Sequence, residues 1–210
     1  MINRRYDLLF PTPIADLDIE NDLVFRQAAI EVLKLVRDVD QELLDEDLEW
    51  TSGDNLHVLP QFAELTKIIN NEATNFFEEI IGIDIKDLGM TSMWSNIRRG
   101  NSRHHMHMHP NSFFSGVAYL QLPRENPGEI IFADPRPGVM FNADWKKDGP
   151  LSYRSWWYTP KVGKLLFFPS WLEHGTEAGK FKDDELRISL SFNYTLLQCT
   201  KHTMPLNLKL

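Results

Sequence analysis

Four of the seven histidines, His104, His105, His107 and His109, fall within six consecutive positions. Imidazole suits iron, zinc, copper and nickel alike. On an extended strand alternate side chains share a face, so His105, His107 and His109 point one way, and two rings spaced by two residues can chelate a single ion. A third donor has to come from elsewhere, and His174 in Gly163-Lys-Leu-Leu-Phe-Phe-Pro169-Ser-Trp-Leu-Glu-His174 is the strongest candidate. The apolar run 165–168 reads as a buried strand that Pro169 ends, and the following turn delivers His174 to a barrel mouth. Thirteen residues further on, Arg187-Ile-Ser189-Leu-Ser191-Phe-Asn193-Tyr alternates strictly. Its polar face is either solvent-facing, as in an outer strand, or the lining of a ligand cavity. A guanidinium inside a barrel needs an anionic partner, and a carboxylate gripped bidentately with a serine hydroxyl alongside is well matched to it. Arg98, Arg99 and Arg103 lie near the histidines and could attract an anion, but an isolated basic group of this kind is expected to be a solvated strand end.

The elements that must position these groups change character near Met90. Before it the chain reads as helical. Asn21 and Asp22 can cap a segment with apolar positions Phe25, Ala29, Val32, Leu33 and Val36 at helical spacing. Pro60 opens a second helix with the stripe Phe62, Leu65, Ile69, Ala73, Phe76 and Ile80, which Gly82 can end in a left-handed conformation. After Met90 the period is that of strands, expected at 92–98, 104–109, 113–122, 129–133, 152–158, 164–169 and 186–195. Short strands with turn signals at this density predict a mainly β fold with N-terminal helices, a jelly roll or double-stranded β-helix with the helices packed on one sheet. The longest irregular stretch runs from Asp134 to Leu151, a length usual for functional lids or disordered segments.

The 210 residues suit one domain, expected as a helical support over 1–90, a β-barrel core over 91–197 and a tail over 198–210. The composition, 42% hydrophobic and 25% charged, is that of a soluble globular protein, with no apolar run long enough for a membrane span. No secretion signal is read at the N-terminus. The single cysteine, Cys199, has no partner for an internal disulfide or a sulfur-type zinc cluster. A reducing cytoplasm is the expected compartment. The net charge of −8, from 22 basic and 30 acidic residues, argues against nucleic acid and anionic lipid as partners. A small molecule or a peptide is the expected substrate, and a homodimer is compatible with everything above.

This pattern resembles the 2-oxoglutarate and iron(II)-dependent oxygenase superfamily over about 91–195. The motifs that carry the likeness are His107-x-His-Pro-Asn, Ser115-Gly-Val-Ala-Tyr, Ile131-Phe-Ala-Asp-Pro-Arg136, Phe168-Pro-Ser-Trp-Leu-x-His174 and Arg187-Ile-Ser. As a set they are similar to a subfamily met in phage and marine bacterial genomes. The resemblance implies an iron site of His107, His109 and His174, with Arg187 and Ser189 holding the far carboxylate of 2-oxoglutarate and Asn96 and Tyr119 as further co-substrate contacts. It implies hydroxylation of a substrate by O2, with release of succinate and carbon dioxide. The superfamily usually has aspartate where this chain has His109, so either three histidines or Asp134 or a water completes the site. Asp134 is better suited to capping the turn that Pro135 begins. The aromatic residues Tyr153, Trp156, Trp157 and Tyr158 are candidates for the substrate entrance.

Two other readings compete. A cupin-type three-histidine dioxygenase or isomerase without 2-oxoglutarate matches Gly163-x5-Pro169-x4-His174, but it lacks the expected glutamate after His109 and leaves Arg187-x-Ser189 without a role. A non-catalytic jelly-roll binding module would not need its histidines.

Overall fold

The computed structural model describes residues 2, 4–5, 9–39, 49–136, 146–147, 149, 152–182 and 185–197. Residues 137–145, half of the expected long loop, and the expected tail 198–210 with Cys199 lie outside the described residues. In chain order the elements are β1 (Ala15–Asp18), α1 (Asp22–Val39), β2 (Glu49–Thr51), α2 (Ala63–Asn75), β3 (Leu88–Arg98), β4 (Phe114–Gln121), β5 (Ile130–Ala133), β6 (Ser155–Tyr158), β7 (Lys164–Pro169), β8 (His174–Thr176) and β9 (Arg187–Leu196). Strands β1-β7-β4-β9-β3-β2 form a six-stranded sheet and β6-β5-β8 a three-stranded one. Every pairing of named strands is antiparallel. This is the double-stranded β-helix that the short, evenly spaced strands predict.

Period-2 alternation divides the large sheet between two cores. Met93, Ile97, Ala118, Leu165, Phe167, Ile188, Leu190, Phe192 and Tyr194 pack with α1 and α2 residues Phe25, Val32, Leu65, Ile69 and Ala73. The opposite face contributes Val117, Tyr119, Leu166 and Phe168 to a smaller cluster with Ile130 and Phe132 of the small sheet. The polar side chains of β9 therefore face the space between the sheets. Its apolar side chains are covered by helices, which overturns the outer-strand alternative.

The region before Met90 is not all helix. β1 pairs with β7, Ala15 opposite Phe167, and β2 pairs with β3, Glu49 opposite Arg98. Both strands are too short to leave an alternating signature, and the large sheet supplies most of what orders them. The second helical segment begins with a 3-10 turn at Pro60–Phe62 and ends in a π-helical turn at Phe76–Ile81. Hydrogen bonding to the fifth residue rotates later positions off the 3.6-residue stripe. Ile80, expected in the core, is consequently 66% exposed, while Phe76 and Phe77 are buried. Gly82 ends the turn at φ 74°, its N–H donating to the Phe77 carbonyl.

The expected strand at 104–109 is the clearest difference. The segment is extended but pairs through one isolated bridge, His107 opposite His174. The His107 N–H donates to the His174 carbonyl at 2.8 Å and the His174 N–H donates to the His107 carbonyl at 3.0 Å, whereas the His109 N–H donates to the Ser170 carbonyl at 2.9 Å. Between Ser170 and His174 the partner chain turns, with the Leu172 N–H donating to Pro169. A ladder cannot propagate along an edge that turns away.

Candidate metal centre

His107, His109 and His174 converge, each offering one ring nitrogen, with all three atoms within 4.8 Å of one another. His174 begins β8, and the other two come from the extended segment beside it. His109 Nε2 lies 3.3 Å from His174 Nε2, and the His107 and His174 ring centroids are 4.5 Å apart. The close approach of the two backbones depends on Gly175, where a Cβ would come 2.9 Å from the His104 carbonyl oxygen. His105 is exposed and stays outside the cluster. Its carbonyl instead accepts a hydrogen bond from His107 Nδ1 at 2.7 Å.

The Leu172 carbonyl does the same for His174 Nδ1 at 2.8 Å. A carbonyl can only accept, so Nδ1 carries a proton in both rings, and Nε2 is the nitrogen left for a metal. Burial lowers the pKa of His174 to about 4, with His107 and His109 adding to the effect and the Leu172 carbonyl opposing it. Burial likewise takes His109 to about 4, helped by His107. Both rings are thus neutral near pH 7, the state that metal binding requires. The Trp94 ring packs against His109, centroids 5.7 Å apart.

The cluster contains no carboxylate from any described residue. Asp134 is engaged elsewhere: Oδ1 accepts from the Arg136 backbone N–H at 3.0 Å and from its Nε at 2.9 Å. That is the turn-capping arrangement expected of Asp-Pro, and the Arg136 guanidinium holds the Asp134 carboxyl below the usual carboxylate range.

Beside the histidines, between the sheets, lies a cavity of about 110 Å³ lined by Trp94, Asn96, Tyr119, Phe168, Arg187 and Ser189 among others. Arg187 is 3% exposed. Its guanidinium carbon lies 5.2 Å from the Tyr119 ring centroid, and Nη1 donates to Ser189 Oγ at 3.4 Å. Arg187 Nε and the Tyr119 hydroxyl have no hydrogen-bond partner. Burial lowers the guanidinium pKa and raises that of the phenol. Buried donors of native proteins are almost always satisfied, so these two groups on the cavity wall have hydrogen-bonding capacity left to offer. An anionic carboxylate fits them in charge and in hydrogen-bond type. Asn96 is more fully engaged, accepting from Thr51 Oγ1 at 3.1 Å and donating to Ser191 Oγ at 3.3 Å.

Two features were missed or misplaced by sequence reasoning. Arg98, expected in solvent, is 1% exposed and lines the cavity. The signal was its register: Asn96 and Arg98 continue the inward face of β3, opposite Ser189 and Arg187. The aromatic group divides. Tyr158 packs inward on Phe132, centroids 6.0 Å apart, whereas Trp156 and Trp157 are 44% and 50% exposed. A second cavity of about 370 Å³ is lined by Met108, Asp134, Arg136, Trp171 and Glu173 among others.

Residues 92–193 match the family described as "Putative 2OG-Fe(II) oxygenase". No curated protein matches the chain. Among solved structures, the chain is similar to SnoN, a non-heme alpha ketoglutarate dependent epimerase from nogalamycin biosynthesis. The TM-score is 0.61 at 14% identity, over 88% of this chain and 76% of that one. A Pseudomonas putida prolyl-4-hydroxylase gives a TM-score of 0.60 at 10% identity, over 89% and 94% of the two chains. HygX from Streptomyces hygroscopicus, solved with nickel and 2-oxoglutarate bound, gives 0.56 at 13%, over 89% and 83%. At these identities the likeness is one of fold.

Proposed function

The chain belongs to the 2-oxoglutarate and iron(II)-dependent oxygenases, and on that premise we propose that it hydroxylates a small-molecule or peptide substrate, with His107, His109 and His174 as the iron ligands. The observation that carries this reading is a juxtaposition. Three imidazoles, two of them oriented by backbone carbonyls, meet beside a buried cavity in which Arg187 Nε and the Tyr119 hydroxyl stand unpartnered. In this reading Arg187, Ser189 and Tyr119 hold the far carboxylate of 2-oxoglutarate, and Asn96 shapes the wall beside it.

Iron(II), when bound, supplies the oxidative chemistry, coupling O2 and 2-oxoglutarate to hydroxylation with release of succinate and carbon dioxide. The chain's own residues do the rest. The His105 and Leu172 carbonyls fix the tautomers that aim the ligand nitrogens. Desolvation keeps His109 and His174 unprotonated. The buried Arg187 charge favours an acid with a second carboxylate over one without it. Phe132, Phe168 and Leu172 exclude water from the inner wall. His107 is the exposed member of the trio, so the prime substrate approaches from its side.

Among the described residues no helix is long and apolar enough to cross a membrane. A single cysteine and an iron(II) requirement suit a reducing cytoplasm, and the overall charge of −8 favours a substrate that is not a nucleic acid. The test is anaerobic calorimetric titration of 2-oxoglutarate into iron(II)-loaded wild type and Arg187→Ala. Micromolar binding that disappears in the variant is expected. No binding to the loaded wild type would transfer the site to metal chemistry without this co-substrate.

A further inference from the structure

Arg98 stands directly opposite Arg187 in the β3–β9 ladder, and both guanidiniums face the same cavity. Both are almost wholly buried. Like charges directly opposed across a ladder repel, and withdrawing each guanidinium from water adds to the penalty. The strain registers on Arg98, whose pKa is lowered to about 10 by burial first and by Arg187 second. Protein groups offset only part of it. Arg98 Nε lies 3.4 Å from Glu49 Oε1, an ion pair without a hydrogen bond, and Nη1 donates to Thr176 Oγ1. Glu49 is shared with His104 and is 32% exposed. Two buried cations therefore face one carboxylate among the described residues, and one positive charge is left over. Both Nε donors remain without a hydrogen-bond partner.

An arrangement that repels in the free protein and becomes neutral with one more carboxylate is one suited to receiving that carboxylate. We propose that Arg98 is a second co-substrate residue, the far carboxylate of 2-oxoglutarate lying between Arg98 and Arg187 and not on Arg187 alone. The assignment rests on the chain using 2-oxoglutarate. It differs from a purely structural role, in which Arg98 pins β3 to β2 through Glu49 and to β8 through Thr176. The two roles have opposite consequences for the ligand-free protein. Removing a structural pin destabilises it. Removing one of two opposed cations leaves its stability unchanged or raises it, a trade common at ligand sites.

The experiment is calorimetric titration of 2-oxoglutarate into manganese(II)-loaded wild type, Arg98→Gln and Arg98→Lys, with thermal melts of the metal-free proteins alongside. Arg98→Gln is expected to weaken binding tenfold or more, with a metal-free melting temperature equal to or above wild type. Arg98→Lys, which keeps the charge and loses the planar fork, falls between the two. Wild-type affinity in Arg98→Gln overturns the proposal and leaves the oxygenase reading standing. Weakened binding together with a much lower metal-free melting temperature also overturns it, returning Arg98 to a structural pin. A wild type that does not bind 2-oxoglutarate at all overturns both.

Discussion

Gly175→Ala tests how the fold sets the metal geometry. An added Cβ would meet the His104 carbonyl oxygen and Met106 Sδ at 2.9 Å, and the His105 carbonyl carbon at 3.2 Å. The first two lie about half an ångström inside ordinary van der Waals contact. The Met106 side chain is 42% exposed and can swing away. The His104 backbone cannot, because its carbonyl accepts from the Thr176 N–H at 3.1 Å and its N–H donates to Thr176 Oγ1 at 3.0 Å. The strain therefore falls on residues 104–105, whose far end supplies the carbonyl that orients His107. Overpacking of this kind costs about 1–3 kcal/mol, which in a chain of this size lowers the melting temperature by roughly 2–12 °C. A productive site tolerates displacements of only about half an ångström. Loss of a supporting contact around a metal typically weakens binding by about tenfold or more. The assay is competition for zinc(II) against a chelating dye, with melts of the metal-free proteins. Gly53→Ala is the control, since a Cβ there meets its nearest atom at an ordinary 3.6 Å. If Gly175→Ala binds zinc as tightly as wild type and melts within about a degree of it, Gly175 does not set the metal geometry.

Three further outcomes are expected. Tyr119→Phe removes a buried hydroxyl without a partner, so the ligand-free protein gains about 1 kcal/mol, or roughly 2–4 °C, while 2-oxoglutarate binds about fivefold more weakly; a lower melting temperature with unchanged binding refutes this. Because His109 and His174 are lowered to about 4 in the folded chain, the unfolded chain takes up more protons as pH falls below about 6.5. Stability of the metal-free protein therefore declines from about pH 6.5 toward pH 4, and denaturant titrations flat across that window would contradict the lowered values. Saturation with divalent metal at about one hundred times its Kd adds roughly 2.7 kcal/mol, raising the melting temperature by roughly 5–11 °C, and His174→Ala abolishes the rise.

The large strands were legible because their alternation is strong. β7 falls at the expected 164–169, and β9 differs from expectation by one residue at each end. The histidine trio was legible by ligand type, yet the reason given for its convergence was wrong: His107 and His109 meet His174 from an irregular segment, not a regular strand. Side-chain parity put His107 and His109, which converge on His174, on one face together with His105, which stays outside the cluster. β1, β2 and β8 run only 3 or 4 residues each, and strands that short owe their order to partners far along the chain. Arg98 was misjudged for the same reason. Its charge is a local property, whereas its burial follows from standing opposite Arg187.

Strands β3 and β9 carry hydrophobic weight on one side and reactivity on the other. Met93, Ile97, Leu190 and Phe192 belong to the core under the helices, while Trp94, Asn96, Ser189 and Ser191 line the cavity. What keeps the chain folded is thus set apart, residue by residue, from what it acts upon. A library randomised at the cavity positions should retain folded members far more often than one randomised at their immediate neighbours. The same division lets sequence drift try new acids and new substrates without first endangering the scaffold, and so makes this shell open to changes of specificity.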